Sequence, residues 1–333
     1  MKLILLLSVI ISFVIVAFAM PFWIRKAEKI KLVWRDMNKK QIKKIPGSGG
    51  LVAILGFIMG VLFYIAVNNF YFKSNNNIVE ILALTTSILI VAGVGIIDDL
   101  LGWQHGGLNR KTRIGLVFFA AIPLMVINAG ISDVSIPFIY KFNIGFLYPL
   151  IVIPIGIIGA TTTFNFIAGY NGLEAGQGIL LLSAIAVFSW ITGSSWLSII
   201  ALCMVASLIA FMLYNKYPAK IFPGDVLTYP VGALIAIMAI LGNFELFATF
   251  IFIPYIIETG LKLRGGLKKH SFGKPQKDGS IKIPYDKIYG LEHLAIFIIE
   301  KIKKSKKAYE TEVALMIYSF QTLVILIAFI WLS

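Results

Sequence analysis

A polytopic, all-α membrane protein is the fold class this sequence predicts, and three observations predict it. Hydrophobic residues make up 59% of the 333 and charged residues only 14%, whereas a soluble domain carries about a quarter charged residues. Ten stretches approach the run of about 20 apolar residues that a spanning helix needs. The basic residues between them fall almost wholly on alternate loops, the signature of membrane topology. A mean hydropathy of +0.88 agrees.

The ten stretches are 3–24, 51–69, 79–97, 114–131, 145–163, 179–193, 196–214, 226–243, 246–262 and 312–332. The first contains Ala17-Phe18-Ala19, a small-residue pattern like a leader cleavage site. A leader carries its positive charge ahead of the apolar run. Here Lys2 precedes the run and nine Lys/Arg follow it, so it reads as a retained helix with its N-terminus outside. From Ile179 to Asn215 there is no charged residue, and the run is too long for one span. Gly193-Ser194-Ser195 divides it into two helices. The fold is a single membrane domain over 1–333, without repeat, low-complexity tract or separate soluble unit.

Ten spans place both termini on one side and sort the loops into two sets. Segments 25–50, 98–113, 164–178, 215–225 and 263–311, with Lys262 counted in the last, hold 27 of the 30 Lys/Arg. Lys2, Lys73 and Lys141 are the remainder. Basic loops stay in the cytoplasm, so the first set is expected there, with both termini extracytoplasmic. This asymmetry accounts for a net charge of +14 without nucleic acid. The single Cys203 lies in an apolar run and excludes a disulfide framework or a cysteine metal centre.

Polar residues of chemical interest concentrate in those five segments. Asp98 and Asp99 follow an apolar run directly. Adjacent carboxylates there either cap a helix end or hold a cation, and Mg²⁺ prefers one or two carboxylates with substrate phosphates. Asn109-Arg110-Lys111 follow and suit a phosphate. Asp225, in Phe222-Pro223-Gly224-Asp225, is expected on the same face, either as a helix cap or as a third carboxylate of a metal site. The segment Phe164 to Gly176 carries Asn165, Asn171 and Glu174 among glycines and aromatics, with no Lys or Arg. Amides can ligand a metal or read a base edge, and glycines allow close backbone approach, so this segment reads as substrate-binding. Lys268-Lys269-His270 beside Gly273 and Pro275 could cradle a pyrophosphate or simply form a basic membrane-surface patch. His105 and His293 have no ligand-like spacing with His270, so no zinc is expected. Lys44-Ile45-Pro46-Gly47-Ser48-Gly49-Gly50 is a Gly-rich turn that could face a nucleotide or merely lead into the second span.

In this order, Pro46–Gly50, Asp98-Asp99, Asn165–Gly176, Phe222–Asp225 and the His-containing basic loop resemble the polyprenyl-phosphate N-acetylhexosamine-1-phosphate transferases. Ala168-Gly169-Tyr170-Asn171-Gly172-Leu173-Glu174-Ala175-Gly176-Gln177 and Tyr214-Asn215-Lys216-Tyr217-Pro218 look most like the eukaryotic and archaeal branch, which uses UDP-GlcNAc and dolichyl phosphate. Asn171-Gly172 and Glu174 stand where the bacterial peptidoglycan branch has an acidic Asp-Gly motif. Lys269-His270-Ser271 stand where the eukaryotic loop has Arg-His-Arg, and lysine does not offer a bidentate fork.

The resemblance implies that Asn165 and Asp225 ligand Mg²⁺, with Mn²⁺ as a substitute. It places Asp98, Asp99 and Lys111 at the reacting centre, Lys111 on a phosphate. Asn171 would face the uracil, Phe222 would stack near it, and Lys269 and His270 would contact the pyrophosphate or sugar. Ser48, Gly49, Leu51 and Glu174 would complete the substrate-binding set. It also implies a homodimer and, with the abundance of Ile and Lys, an archaeal plasma membrane. The expected reaction is attack of a lipid phosphate on UDP-GlcNAc, with Asp98 assisting as base, at the start of lipid-linked glycan assembly. A transporter or flippase is the competing class, but transporters place ionisable groups near the midplane of broken helices. Here Glu258 is the main acid deep in an expected span, and the other acids sit at span ends.

Overall fold

The computed structural model describes residues 3–41, 43–135 and 141–332. Lys2, counted above among the extracytoplasmic cations, lies outside them. The chain begins with α1 (Leu6–Lys29), the strands β1 (Val33–Arg35) and β2 (Lys44–Pro46), α2 (Gly50–Ala66) and α3 (Ile78–His105). There follow α4 (Arg110–Phe119), α5 (Ile122–Val126), β3 (Asp133–Ser135), β4 (Lys141–Asn143) and α6 (Ile153–Phe164). Next come α7 (Leu173–Ile191), α8 (Ser195–Asn215), α9 (Asp225–Gly242), α10 (Glu245–Ile251) and α11 (Ile253–Arg264). The chain closes with β5 (Lys274–Pro275), β6 (Ile281–Lys282), α12 (Leu291–Ile302) and α13 (Glu310–Leu332).

All ten expected spans fall on helical segments, but not all are long enough to cross. Among the described residues seven helices are long and apolar enough: α1, α2 with its extension to Tyr71, α3, α7, α8, α9 and α13. An eighth forms if α10 and α11, bent by 57° at Phe252, count as one broken span. The expected spans at 114–131 and 145–163 are the two that fall short. Pro123 opens α5 as a new helix after a turn at Ala120-Ala121, so the first of these splits into α4 and α5. The second runs only from Tyr148 to Phe164 and begins with a π turn containing Pro149, followed by Pro154 in α6. Proline lacks the N–H that would continue a helical ladder.

The fold is all-helical, and among the described residues three short antiparallel hairpins accompany the helices, pairing β1 with β2, β3 with β4, and β5 with β6. Segment 263–311, read as a loop, contains α12. Its buried Glu292, Ala295, Ile296 and Ile299 recur at helical spacing, a signal visible in the sequence.

The bundle is organised round α9, in which every residue from Val226 to Ile240 is buried. A helix apolar on all sides belongs in a core, and α9 packs against α3 and α6. Between α1 and α2, Gly56 and Gly60 lie one turn apart over Ser8, Ser12 and Val16, so any side chain there would collide with α1. Small residues at this spacing let membrane helices approach closely. Phe18 and Phe22 of α1 remain exposed on the outer surface.

The five polar segments meet at one end of the bundle. Asn38 donates from Nδ2 to Gly169 O at 2.7 Å and accepts the Gly273 N–H at 3.0 Å. Phe222 N–H donates to Pro46 O at 2.8 Å. Arg110 donates to Leu267 O at 2.7 Å. Segments far apart in sequence thus share one polar layer over an apolar bundle.

Candidate active site

A cavity of about 950 Å³ opens at that end. Its walls come from the β1–β2 hairpin, the C-terminal end of α3, the 165–174 turn, the 215–228 segment and the 270–285 loop. The floor is acidic. Asp98 and Asp99 occupy the last turns of α3, 3% and 7% exposed, and Asp225 opens α9.

Two glycines set this approach. At Gly95, a side chain would run into the backbone of Asp225 and Val226, so α3 and α9 are in backbone contact just below the acids. Gly224 has φ of +73° and ψ of 169°, a combination essentially confined to glycine, and a Cβ there would occupy the Asp99 carboxylate. This turn lets the Asp225 N–H donate to Asp99 Oδ1 at 2.7 Å.

Each carboxylate has its own partners. Asp98 Oδ1 accepts the Leu108 N–H at 2.7 Å, and its Oδ2 lies 2.7 Å from Arg113 Nη2 and 2.8 Å from the Tyr229 hydroxyl. Asp225 Oδ1 accepts from Asn165 Nδ2 at 2.8 Å. Asp225 Oδ2 lies 3.1 Å from that same Tyr229 hydroxyl, which has one proton and can satisfy one acid at a time. Asn165 Oδ1 accepts from Thr228 Oγ1 at 3.3 Å. Asp99 Oδ2 and the neighbouring Ser48 hydroxyl are buried beside each other, and neither makes a well-formed hydrogen bond to any other group. Three carboxylates, two of them buried and that of Asp225 half-buried, therefore share one guanidinium, and one oxygen of Asp99 has only the Ser48 hydroxyl beside it. Such a group costs several kcal/mol unless a cation or proton compensates it.

Among the described residues no three carboxylate, imidazole or thiolate groups close round a single point. The donor set nevertheless fits a hard cation. Asp99, Asp225 and Asn165 offer oxygens within one hydrogen-bonded cluster, one of them with only the Ser48 hydroxyl beside it, and Mg²⁺ takes few protein ligands because it keeps waters and substrate phosphates.

Lys111, expected to hold a phosphate at the reacting centre, stands apart from these acids. Lys111 is exposed in the first turn of α4 and does not line the cavity. Arg113, two residues on, holds Asp98 and lies with its guanidinium 5.4 Å from the Tyr229 ring centre. Asn109 caps α4 by accepting the Thr112 N–H at 2.9 Å and so fixes which residues face inward.

The 165–176 segment divides between the cavity lining and its support. Asn165 and Glu174 line the cavity, and Glu174 accepts the Gly169 N–H at 2.8 Å. Asn171 does not. Its Nδ2 reaches Glu310 and Asp36, its Oδ1 accepts the Ala219 N–H at 3.2 Å, and its N–H donates to Glu310 Oε1 at 2.7 Å. Its amide is spent on holding the turn to the first polar segment and to α13. Lys39 pairs with the same Glu310. Asp36, Asn38 and Glu310 were not singled out in the sequence, where they read as ordinary loop and helix-cap polarity.

Ser48, Phe222 and His270 line the cavity, while Gly49, Leu51 and Lys269 do not. Gly49 instead donates its N–H to Phe222 O at 3.0 Å, and Leu51 donates its N–H to Ser48 O at 3.2 Å in the first turn of α2. Lys269 lies with its ammonium 4.8 Å from the Tyr285 ring centre. The His270 ring stacks on Phe272, with centroids 6.3 Å apart.

A second polar cluster supports the cavity from behind. Glu258 and Glu292 are fully buried. Glu258 Oε2 accepts the Leu291 N–H at 2.6 Å, and its Oε1 lies 3.4 Å from Lys262 Nζ. Lys262 also reaches the Ser271 hydroxyl, which donates to Phe166 O at 3.3 Å. Glu292 Oε1 accepts the Ala168 N–H at 3.2 Å. Burial, then the neighbouring Glu258, pushes the Glu292 carboxyl well above its usual range. Burial, with Lys262 beside it, lowers the His293 imidazole to about 4. Glu258, the deepest acid of the expected spans, thus anchors cavity loops rather than a midplane pathway.

Comparison with known proteins identifies the family. Residues 81–243 match the profile of glycosyl transferase family 4. A protein of Saccharolobus solfataricus, provisionally assigned as a UDP-N-acetylglucosamine–dolichyl-phosphate N-acetylglucosaminephosphotransferase, is 35% identical over 98% of this chain and 96% of its own length. The Schizosaccharomyces pombe protein of that name is 29% identical over 83% of this chain and 73% of its own. A phospho-N-acetylmuramoyl-pentapeptide-transferase of Halalkalibacterium halodurans is 29% identical over 77% and 80%. With its matching profile, near full-length relatives and acidic cavity at the end of a membrane bundle, the chain belongs to glycosyl transferase family 4, the polyprenyl-phosphate N-acetylhexosamine-1-phosphate transferases.

Proposed function

We propose that this protein transfers N-acetylglucosamine-1-phosphate from UDP-GlcNAc to dolichyl or another polyprenyl phosphate, releasing UMP. The product, a lipid pyrophosphoryl-GlcNAc, would begin assembly of a lipid-linked glycan for protein N-glycosylation. The observation that carries the reading is the cluster of Asp98, Asp99, Asp225 and Asn165 beneath an open cavity. The donor is supported by full-length similarity to the Saccharolobus protein bearing that assignment. With 27 of 30 Lys/Arg in the five segments that build this end, the cavity is assigned to the cytoplasmic face of the plasma membrane, where a nucleotide sugar and a lipid phosphate can meet.

Asp99, Asp225 and Asn165 would hold Mg²⁺, which supplies charge neutralisation to the diphosphate. A non-bridging oxygen of the lipid phosphate attacks the β-phosphorus. The bond from that phosphorus to the bridging oxygen breaks, and UMP departs with the electron pair. Such a reaction asks mainly for position and electrostatics. Arg113 and His270 add positive or hydrogen-bonding character along the cavity, and Phe222 and Phe272 offer faces for a planar base. Asp98 is already engaged by Leu108, Arg113 and Tyr229, so its role is better read as holding Arg113. Asp99, whose Oδ2 has only the Ser48 hydroxyl beside it, is the better candidate for orienting the attacking phosphate. That phosphate carries little proton at pH 7, since its second pKa is about 6.

The test is UMP release by the purified protein in detergent, given UDP-GlcNAc, dolichyl phosphate and Mg²⁺, beside Asp225→Ala. Release that requires metal and acceptor and disappears in the variant is expected. No release with UDP-GlcNAc or UDP-GalNAc across several polyprenyl phosphates would overturn the substrate class.

A further inference from the structure

Behind the β1–β2 hairpin lies a second cavity of about 550 Å³, outside the site described above. Arg25 at the end of α1, Lys43 and Lys44 at the start of β2, and Lys220 line one part of it. Pro21, Ile24 and Tyr214 line the other. Among the described residues none of the four cations is paired with a carboxylate, and Glu28 is the one acid in the lining. The arrangement is therefore an anion site with an apolar side. It sits at the end of a membrane-spanning helix, and the adjoining surface of α1 carries the exposed Phe18 and Phe22.

The wall between the two cavities is thin. Ile45, Pro46, Ala219 and Lys220 face the outer cavity, whereas Gly47, Ser48, Asn215 and Phe222 face the inner one. The two strips of chain are joined by Phe222 N–H to Pro46 O at 2.8 Å and by Gly49 N–H to Phe222 O at 3.0 Å. The outer cavity thus backs onto the segments that carry Ser48 and Phe222.

We infer that the outer cavity binds the anionic head group of a bilayer phospholipid, with its chains along α1, and that occupancy braces the wall of the inner cavity. An anionic lipid satisfies both halves of the lining at once. Its phosphate meets a lining whose four cations have no carboxylate partner, Arg25 lying 4.9 Å from the Phe22 ring centre, and its acyl region continues along Ile24 and Phe22. The inference does not rest on the transferase reading, because its primary measurement is binding.

The experiment is native mass spectrometry of the detergent-solubilised protein offered equal amounts of phosphatidylglycerol and phosphatidylcholine. Hydrogen exchange of the 44–50 and 219–224 amides is followed in parallel. The wild type should retain one phosphatidylglycerol in preference to phosphatidylcholine. The double variant Arg25→Gln/Lys220→Gln should weaken that preference about thirtyfold, from two surface cations at about 1 kcal/mol each. Arg25→Lys/Lys220→Arg should restore it, and Lys301→Gln/Lys304→Gln, on α12 and just beyond it, should leave it unchanged. Phosphatidylglycerol should slow exchange at Gly49 and Phe222 in the wild type alone. Equal retention of the two lipids, or retention that survives Arg25→Gln/Lys220→Gln, would overturn the site. A polyprenyl phosphate held there in place of phosphatidylglycerol would overturn the assigned occupant. Binding without slower exchange would overturn the bracing.

Discussion

Replacing Arg113 with Met should nearly abolish UMP release, whereas replacing Lys111 with Met should leave it within about twofold of wild type. Arg113 is the cation that holds Asp98, at 2.7 Å, with side chains 25% and 2% exposed. Removing one partner of a buried ion pair costs about 3–5 kcal/mol, because the remaining charge is left uncompensated. The quarter exposure of Arg113 admits some solvent screening, which argues for the lower end. An uncompensated Asp98 also repels the anionic phosphates entering the cavity, and a barrier raised by about 3 kcal/mol through that repulsion corresponds to about 150-fold in kcat. Arg113→Lys keeps the charge without the planar fork and should fall between. The assay is initial-rate UMP release at saturating Mg²⁺, with thermal unfolding in the same detergent to separate misfolding from lost chemistry. An inactive Lys111→Met beside a folded, active Arg113→Met would refute the geometry of α4 and return the role to Lys111.

Gly224→Ala should lower stability by about 1–3 kcal/mol, since alanine is strained at φ of +73° and its Cβ collides with Asp99; a melting curve and UMP assay of the same preparation would show both losses. Glu292→Ala removes the acceptor for the Ala168 N–H and should raise KM for the nucleotide sugar several-fold. Glu292→Gln keeps an acceptor and should restore KM to near wild type, so equal damage from both would sink the positioning role. The buried His293 makes stability sensitive to acid. Its folded pKa of about 4 lies below the unfolded 6.5, so the unfolded chain takes up a proton first and stability falls as pH drops from 6.5 towards 4. The full shift is worth at most about 3 kcal/mol. Glu292, raised by burial, acts in the opposite sense and favours the folded state at lower pH. His293→Gln should therefore flatten the acid limb of the melting profile, and an unchanged limb would contradict the assignment.

Much of this protein is written locally. Runs such as Ile81–Ile97 and Val226–Ile240 have no soluble environment that would suit them, so the membrane class follows from composition and length alone. Asp98, Asp99, Asn165 and Asp225 were legible because a polar group directly against an apolar run is expensive and needs a reason. Span lengths were less legible, because Pro123, Pro149 and Pro154 shorten helices whose hydropathy continues past the break.

Tertiary structure decided which side chains meet. Lys111 and Arg113 stand two residues apart on α4, about 200° round a helix with 3.6 residues per turn. Only the docking of α4 against α3 selects Arg113 for Asp98. Asn171 looked free to read a ligand until Asp36, Glu310 and Ala219, from three distant segments, claimed its amide. Glu292 carried no signal of its own until α12 brought it under Ala168. Hydropathy and spacing are properties of neighbouring residues and can be read along the chain. Partner choice depends on contacts between residues 15 to 139 apart in the chain, and the folded backbone alone brings those residues together.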